Sequence, residues 1–190
     1  MRCCVCVRKP RNGAYSLPEL MVVLAICALL LRAGMPSFGA MLQSFRASAA
    51  ANDFQAALSL ARAAALQRGT PVVLVPADAA SSDWRLGWAV IIDRNDNQRL
   101  DVDDEILSAH GPVPAGMHVV SSMTDNATPY ITYSSAGRTR TRHSSYSPQT
   151  GTISIFAGAE IRRIKINFLG RARQCNPAAD STCTGAAQVQ

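Results

Sequence analysis

Residues 20–31 are twelve consecutive apolar positions, the densest hydrophobic run in the chain. Past it the pattern becomes periodic. Apolar residues recur at Phe38, Leu42, Phe45 and Ala49, then at Phe54, Leu58, Ala61 and Ala65, in steps of three and four that predict an amphipathic helix. Pro36 removes one backbone donor and favours a kink in a helix that carries on past it. Gln67-Arg68-Gly69-Thr70-Pro71 supplies the stop, since Gly suits a left-handed cap and Pro cannot extend the helix. A single long helix over 17–68 is therefore expected, its second half needing a partner for the apolar stripe. That partner follows in the sequence. Short runs rich in β-branched and aromatic residues, at 71–76, 87–93, 105–109, 118–123, 130–133, 152–157 and 161–168, alternate with turn residues and read as strands. One helix followed by many strands predicts an α+β fold, a long N-terminal helix laid on an antiparallel β-sheet or β-sandwich.

The apolar run is short against the roughly 20 residues needed to cross a bilayer. Ahead of it stand Arg2, Arg8, Lys9 and Arg11, with no acid before Glu19. Such asymmetry holds an N-terminus in the cytoplasm. A secretory signal peptide shares the basic start and short apolar core. Glu19 separates the two readings, because a carboxylate at the edge of an apolar span is costly in lipid and needs a partner or a function.

The run Gly13-Ala14-Tyr15-Ser16-Leu17-Pro18-Glu19-Leu20-Met21-Val22-Val23-Leu24-Ala25-Ile26 resembles the cleavage and methylation signal of type IV prepilins. The resemblance implies a prepilin peptidase that cuts before the apolar run, with Glu19 fifth after the cut. That count places the cut between Ala14 and Tyr15, with Ala14 where the family usually has Gly and Gly13 one position early. It also implies that the new N-terminal helix is first an inner-membrane anchor, then part of a filament core among major and minor pilins. There Glu19 neutralises a neighbouring subunit's N-terminal ammonium, a pairing strong in a low dielectric. The implied layout is a leader at 1–14, an anchor and core helix at 15–36, an amphipathic half at 37–69, a β domain at 70–175 and a tail at 176–190.

Charge gains meaning once divided. Losing the leader's four basic residues lowers the formal charge from +6 to +2. Residues 77–125 carry nine acids against three arginines, whereas 126–190 carry seven arginines and Lys165 against Glu160 and Asp180. A basic C-terminal part suggests an acidic partner. Of the six cysteines, Cys3, Cys4 and Cys6 leave with the leader and Cys27 sits in the apolar helix as a small residue. Cys175 and Cys183 lie beyond the membrane in this orientation, where an oxidising compartment would close a short disulfide loop around Asn176-Pro177. The rest of the tail is expected to be mobile.

Catalysis has little support. His110, His118 and His143 lack metal-ligand spacing to any cysteine, and no nucleophile elbow or phosphate-cradling Gly loop occurs. No cofactor is implied. Asp93, Asn95, Asn97, Asp101 and Asp104 fall at calcium-loop spacings, yet Gln98 replaces the Gly of the sharp turn and Glu105 is one position late. A polar hairpin turn is the preferred reading. The pattern Gly87-Trp88-x-Val90-x-x-Asp93-x-Asn95 also resembles the FimT/GspH branch of pilin-like proteins, in which this stretch is a hairpin.

The C-terminal basic residues are the stronger lead. Arg138, Arg140 and Arg142 alternate, so a strand would present them on one face. Arg162, Arg163 and Lys165 sit on the next basic segment. Gly170-Arg171-Ala172-Arg173 resembles the Gly-Arg-x-Arg motif of FimT-type minor pilins, which bind DNA in natural transformation. By that resemblance Arg171 and Arg173 hold the phosphodiester backbone of double-stranded DNA, Gly170 shapes the loop and the Cys175–Cys183 bridge stiffens it. The alternatives are a GspH-like pseudopilin of a type II secretion system and a structural pilus-priming subunit.

Overall fold

The computed structural model describes residues 15–125, 129–142 and 147–185, with backbone alone for 31–37. Two compact units are distinguished, Met1–Gly39 and Ala40–Gln190. In the first, the described side chains up to residue 30 are exposed, including Leu20, Val22, Leu24 and Cys27. Among the described residues no helix is long and apolar enough to cross a membrane. The end of the expected span falls in the undescribed side chains, and Gly13 and Ala14 lie outside the described residues.

Helix α1 spans Leu17–Arg68, and its assignment runs uninterrupted through Pro36. Gly69 follows at φ 67° and its N–H donates to the Ala65 carbonyl at 3.0 Å, the expected left-handed stop. The buried face differs from the expected stripe in its first half. Phe38, Leu42 and Phe45 are exposed, whereas Ala47, Ala50, Ala51, Phe54, Ala57, Leu58, Ala61, Ala64 and Ala65 are buried. Alanines bring the helix backbone close to the strands, and Phe54 and Leu58 are the large side chains that fill the core. The periodicity of residues 38–49 is real but belongs to a face that the domain itself leaves uncovered.

Among the described residues nine strands form two antiparallel sheets. One contains β1 (Val72–Pro76), β2 (Trp88–Ile92), β3 (Glu105–His110), β5 (Ile131–Tyr133) and β6 (Thr139–Arg140), in the order β3-β2-β1-β5-β6. The other contains β4 (Met117–Met123), β7 (Gly151–Ala157), β8 (Glu160–Ile166) and β9 (Ala172–Cys175), in the order β4-β7-β8-β9. Helix and both sheets share one core, in which Phe54 and Leu58 join Leu74, Trp88, Ile131, Ile153, Ile155 and Ile164. Strand β1 is buried at every position because its reverse face carries a second cluster, Val73 and Val75 with Ala89, Ile91, Tyr130 and Leu100. That two-sided burial explains the unbroken apolar run of β1.

Two strands carry no signal of their own in the sequence. β6 is only two residues long, and its place beside β5 is reinforced by Gln149, fully buried. The Gln149 side chain accepts from Thr132 N at 3.3 Å and donates to the Tyr130 carbonyl at 2.9 Å, standing in for ladder bonds. β9 lies where only the end of the strand region is expected, because the segment read as 161–168 stops at Ile166 and a turn returns the chain antiparallel to β8.

Candidate functional site

The turn between β8 and β9 organises the basic residues. Asn167 closes it: its N–H donates to the Arg171 carbonyl at 3.1 Å, and its Oδ1 accepts from Leu169 N at 3.1 Å and Arg171 N at 3.0 Å. Asn side chains commonly cap turns this way. Gly170 has φ 72°, and its carbonyl accepts from the Tyr133 hydroxyl at 3.2 Å and from Arg62 Nη1 at 3.2 Å. Burial pushes the Tyr133 hydroxyl up to about 12, so it remains a donor at neutral pH. The Thr139 hydroxyl donates to the Gln149 carbonyl at 2.6 Å and lies 3.4 Å from the Asn167 carbonyl. The turn is therefore tied to α1 and to the β5–β6 hairpin of the other sheet.

Shallow clefts meet at this turn. Leu58, Ser59, Arg62, Tyr133, Gly170 and Arg171 line one; Thr152, Lys165, Asn167, Arg171 and Arg173 line another; Ser134, Arg138, Arg140, Pro148 and Phe168 line a third. Arg171 and Arg173 are both exposed. Arg173 stands 3.3 Å from Asp180, whose carboxyl is held below its ordinary value chiefly by hydrogen bonds from the side chain and backbone of Thr182.

The other predicted basic residues divide. Arg138 and Arg140 share the third cleft, but Arg142 lies past the short β6, so the three do not occupy one long strand. Arg142 is exposed, and its backbone N–H donates to the Tyr130 hydroxyl at 2.6 Å. Arg163 and Lys165 lie beneath the tail. The disulfide Cys175–Cys183, Cα–Cα 5.9 Å, folds the tail across β8, so that Lys165 donates to the Thr182 carbonyl at 2.9 Å and Arg163 to the Cys183 carbonyl. Residues 176–185 thus form a strap over β8, because the bridge and these cations give a small polar segment partners it lacks by itself, and most of the tail expected to be mobile beyond the bridge, 186–190, lies outside the described residues. Arg162 faces the helix instead, its side chain 13% exposed, donating to Ser44 at 2.8 Å, Ser48 at 3.2 Å and Glu160 at 3.2 Å. Adjacent residues on a strand point to opposite faces, which separates Arg162 from Arg163. Replacing Arg162 with alanine is expected to cost about 2 kcal/mol through lost charge-assisted bonds, lowering the melting temperature by about 6 °C in a thermal scan.

The acidic loop between β2 and β3 spends its oxygens on itself. Asp93 accepts from Gln98 N at 2.7 Å, Asp101 from Asn95 at 2.6 Å and Asn97 at 2.8 Å, and Asp104 from Asp101 N at 3.0 Å. The bond from Asn95, followed by that from the Asp103 backbone N–H and then the one from Asn97, holds the Asp101 carboxyl below its usual value. Gln98 takes φ 54°, occupying the left-handed position with a side chain rather than a Gly. Among the described residues no group of three or more His, Cys, Asp or Glu is placed to hold a metal. His110 stacks on Trp88 at 4.1 Å, 3.5 Å from Asp53, while His143 lies outside the described residues.

Arg62, Asn167, Phe168 and Asp180 join the site without a functional signal in the sequence. Asn167 and Gly170 carry a turn signal, Asn and Gly three residues apart after a strand. Arg62, remote in sequence from the motif, carries none.

A long N-terminal helix whose C-terminal half shares a core with two antiparallel sheets defines the type IV pilin-like class. Residues 50–170 match the family described as "Type II transport protein GspH", over more than half of the chain, and the chain belongs to that family. A comparison with curated proteins gives no match. Among solved structures the chain is similar to the type IV minor pilin FimU of Pseudomonas aeruginosa, at 16% identity over 70% of this chain and 90% of that one, with a TM-score of 0.51. It is also similar to the minor pseudopilin EpsH from the Type 2 Secretion System of Vibrio cholerae, at 16% identity over 70% and 98%, with a TM-score of 0.50. Family membership makes this chain a minor pilin or pseudopilin, a structural protein rather than an enzyme, of a class that assembles with other pilins in a pilus or pseudopilus.

Proposed function

We propose that this chain is a minor type IV pilin that captures double-stranded DNA for uptake in natural transformation. A prepilin peptidase cuts at Ala14–Tyr15, the apolar helix anchors the protein in the inner membrane with its domain in the periplasm, and Glu19 then pairs with a neighbouring N-terminal ammonium as the subunit enters the filament. DNA lies on Arg171 and Arg173, with Lys165 and Arg138 extending the positive field. The observation that carries this reading is the turn at Asn167–Arg171: it is tied to α1 through Arg62 and to β5 through Tyr133, and it leads into an edge strand with Arg171 and Arg173, two positions apart, both exposed. Planar guanidinium donors on a rigid support suit phosphate oxygens.

Contacts of this kind do not read sequence and release counterions, so binding falls steeply with salt. The double substitution Arg171→Gln, Arg173→Gln is expected to weaken duplex binding at least tenfold in an electrophoretic shift assay. It should also flatten the log–log salt slope by about 2 and leave the melting temperature unchanged. Normal binding by that variant sinks the proposal. One observation favours a second reading, a pseudopilin of type II secretion with protein partners alone. The tail strap engages Arg163 and Lys165 and sets Asp180 beside Arg173, which reduces the cationic surface open to a polyanion.

A further inference from the structure

The tail strap supplies oxygens to the same cations that a polyanion would seek. Residues 176–185 contain one carboxylate, Asp180, and no lysine or arginine. Strand pairing sets Lys165 directly opposite Arg173 on β8 and β9, and like charges so placed repel. The strap offsets that repulsion. Asp180 stands 3.3 Å from Arg173, which also donates to the Thr182 hydroxyl at 3.5 Å, while Lys165 donates to the Thr182 carbonyl at 2.9 Å and the Thr184 hydroxyl at 3.2 Å. Little besides the bridge holds this cover down. Of residues 176–185 only Cys183 is buried, and the Arg173 side chain is 61% exposed, so closure hides little apolar surface and its ion pair is weak. Segments held in this way open at low free energy.

We propose that the strap is an autoinhibitory cover of the basic face: closed, it occupies Arg173 and Lys165 with its own oxygens, and duplex DNA binds at full strength only by displacing it. The inference rests on the duplex-capture reading and adds regulation to that site. The disulfide sets the threshold, since it pins Cys183 beside Cys175 and so keeps Thr182 and Thr184 over β8. A tethered competitor of this kind acts at high local concentration. It also selects among anions. A polyanion first engages Arg171, which is exposed and lies outside the strap's contacts, and its neighbouring phosphates then compete for Arg173 and Lys165. An isolated carboxylate has no such foothold.

Full-length protein in detergent micelles is titrated with a labelled duplex at several salt concentrations, for the native chain, Asp180→Asn, Asp103→Asn, Cys175→Ser/Cys183→Ser, and Arg173→Gln with and without Asp180→Asn. The amide at 180 keeps an oxygen for the Thr182 N–H and removes only the charge, so Asp180→Asn is expected to tighten duplex binding about threefold. Asp103→Asn makes the same charge change on the exposed β2–β3 loop and should shift affinity by less than about 1.5-fold. Loss of the bridge frees the whole strap. Affinity should then rise about tenfold, with the log–log salt slope steeper by about 1 as Lys165 joins the contacts. In the Arg173→Gln background Asp180→Asn should gain less than about 1.5-fold, because the cation it covers is gone. Equal gains from Asp180→Asn and Asp103→Asn, or no gain from Asp180→Asn, overturn the cover while leaving duplex capture standing. Weaker binding without the bridge does the same, since the strap would then support the site. Failure of every variant to bind the duplex overturns both readings. A melting scan identifies a bridge variant that does not fold, in which case Asp180→Asn with and without Arg173→Gln decides.

Discussion

Phe54→Ala lowers the unfolding free energy of the domain by about 4 kcal/mol, enough to reduce its melting temperature by about 12 °C in a calorimetric or dichroism scan. Phe54 has no exposed surface, and its ring meets Trp84 edge-on at 5.3 Å and Trp88 at a tilt at 5.0 Å. Truncation leaves a cavity between the helix and the first sheet that the alanines around it are too short to fill. Lost edge-to-face contacts add to the transfer term, and the near-ultraviolet dichroism of both tryptophans should weaken in parallel. Phe45→Ala is the matched control. Phe45 is 60% exposed, so its removal should shift stability by less than about 0.5 kcal/mol. Equal effects at the two positions would mean that the helix buries the face running through Phe38, Leu42 and Phe45, and the assigned packing of α1 on the sheets would be wrong.

Gly170→Ala is expected to cost about 3 kcal/mol and to lower the melting temperature by about 9 °C. Two contributions add. At φ 72° an L-residue is strained by about 1 kcal/mol, and its Cβ would lie 2.7 Å from the Gly137 carbonyl oxygen, 2.9 Å from a Tyr133 ring carbon and 3.1 Å from Thr139 N. Two of those neighbours are backbone, so the turn itself must move. Gly116 separates the contributions, because it has φ 83° and a methyl group added there would meet nothing within 4 Å. Gly116→Ala should therefore show strain alone, about 1 kcal/mol. If the two alanine variants melt together, the β8–β9 turn is not pressed against the hairpin, and the rigidity of the surface around Arg171 and Phe168 goes with it. If Gly170→Ala is the less stable, moving the turn should also weaken duplex binding with Arg171 and Arg173 intact, which charge alone would not foresee.

Much of the architecture is legible in the sequence because it depends on periodicity and on backbone chemistry. The end of α1 at Arg68 follows from Gly69 and Pro71, and seven strands lie close to the runs that predict them, since β-branched clusters between turn residues have few alternatives. The face of the helix between 38 and 49 differs from its expected role because periodicity marks an apolar stripe without saying what covers it. β6 is not legible because a two-residue strand leaves no pattern, and its support comes from Gln149, further along the chain. At the site, the motif Gly170-Arg171-Ala172-Arg173 stands out as a local pattern, whereas the opposite fates of Arg162 and Arg163 depend on which sheet face each meets.

The order of residues by itself determined the class of protein: an apolar N-terminal helix with one acid at its edge, then an α+β domain, because dihedral preferences and hydrophobic spacing act over a few residues and survive in any context. Tertiary structure decided which cations remain open. Arg162 is drawn to Ser44 and Ser48 on the helix, Arg163 and Lys165 to the strap closed by Cys183, and Arg171 stays at the edge. A guanidinium goes to the nearest acceptors the folded chain brings to it, and those acceptors can lie far away in sequence, as Arg162 and Ser44 do with a separation of 118.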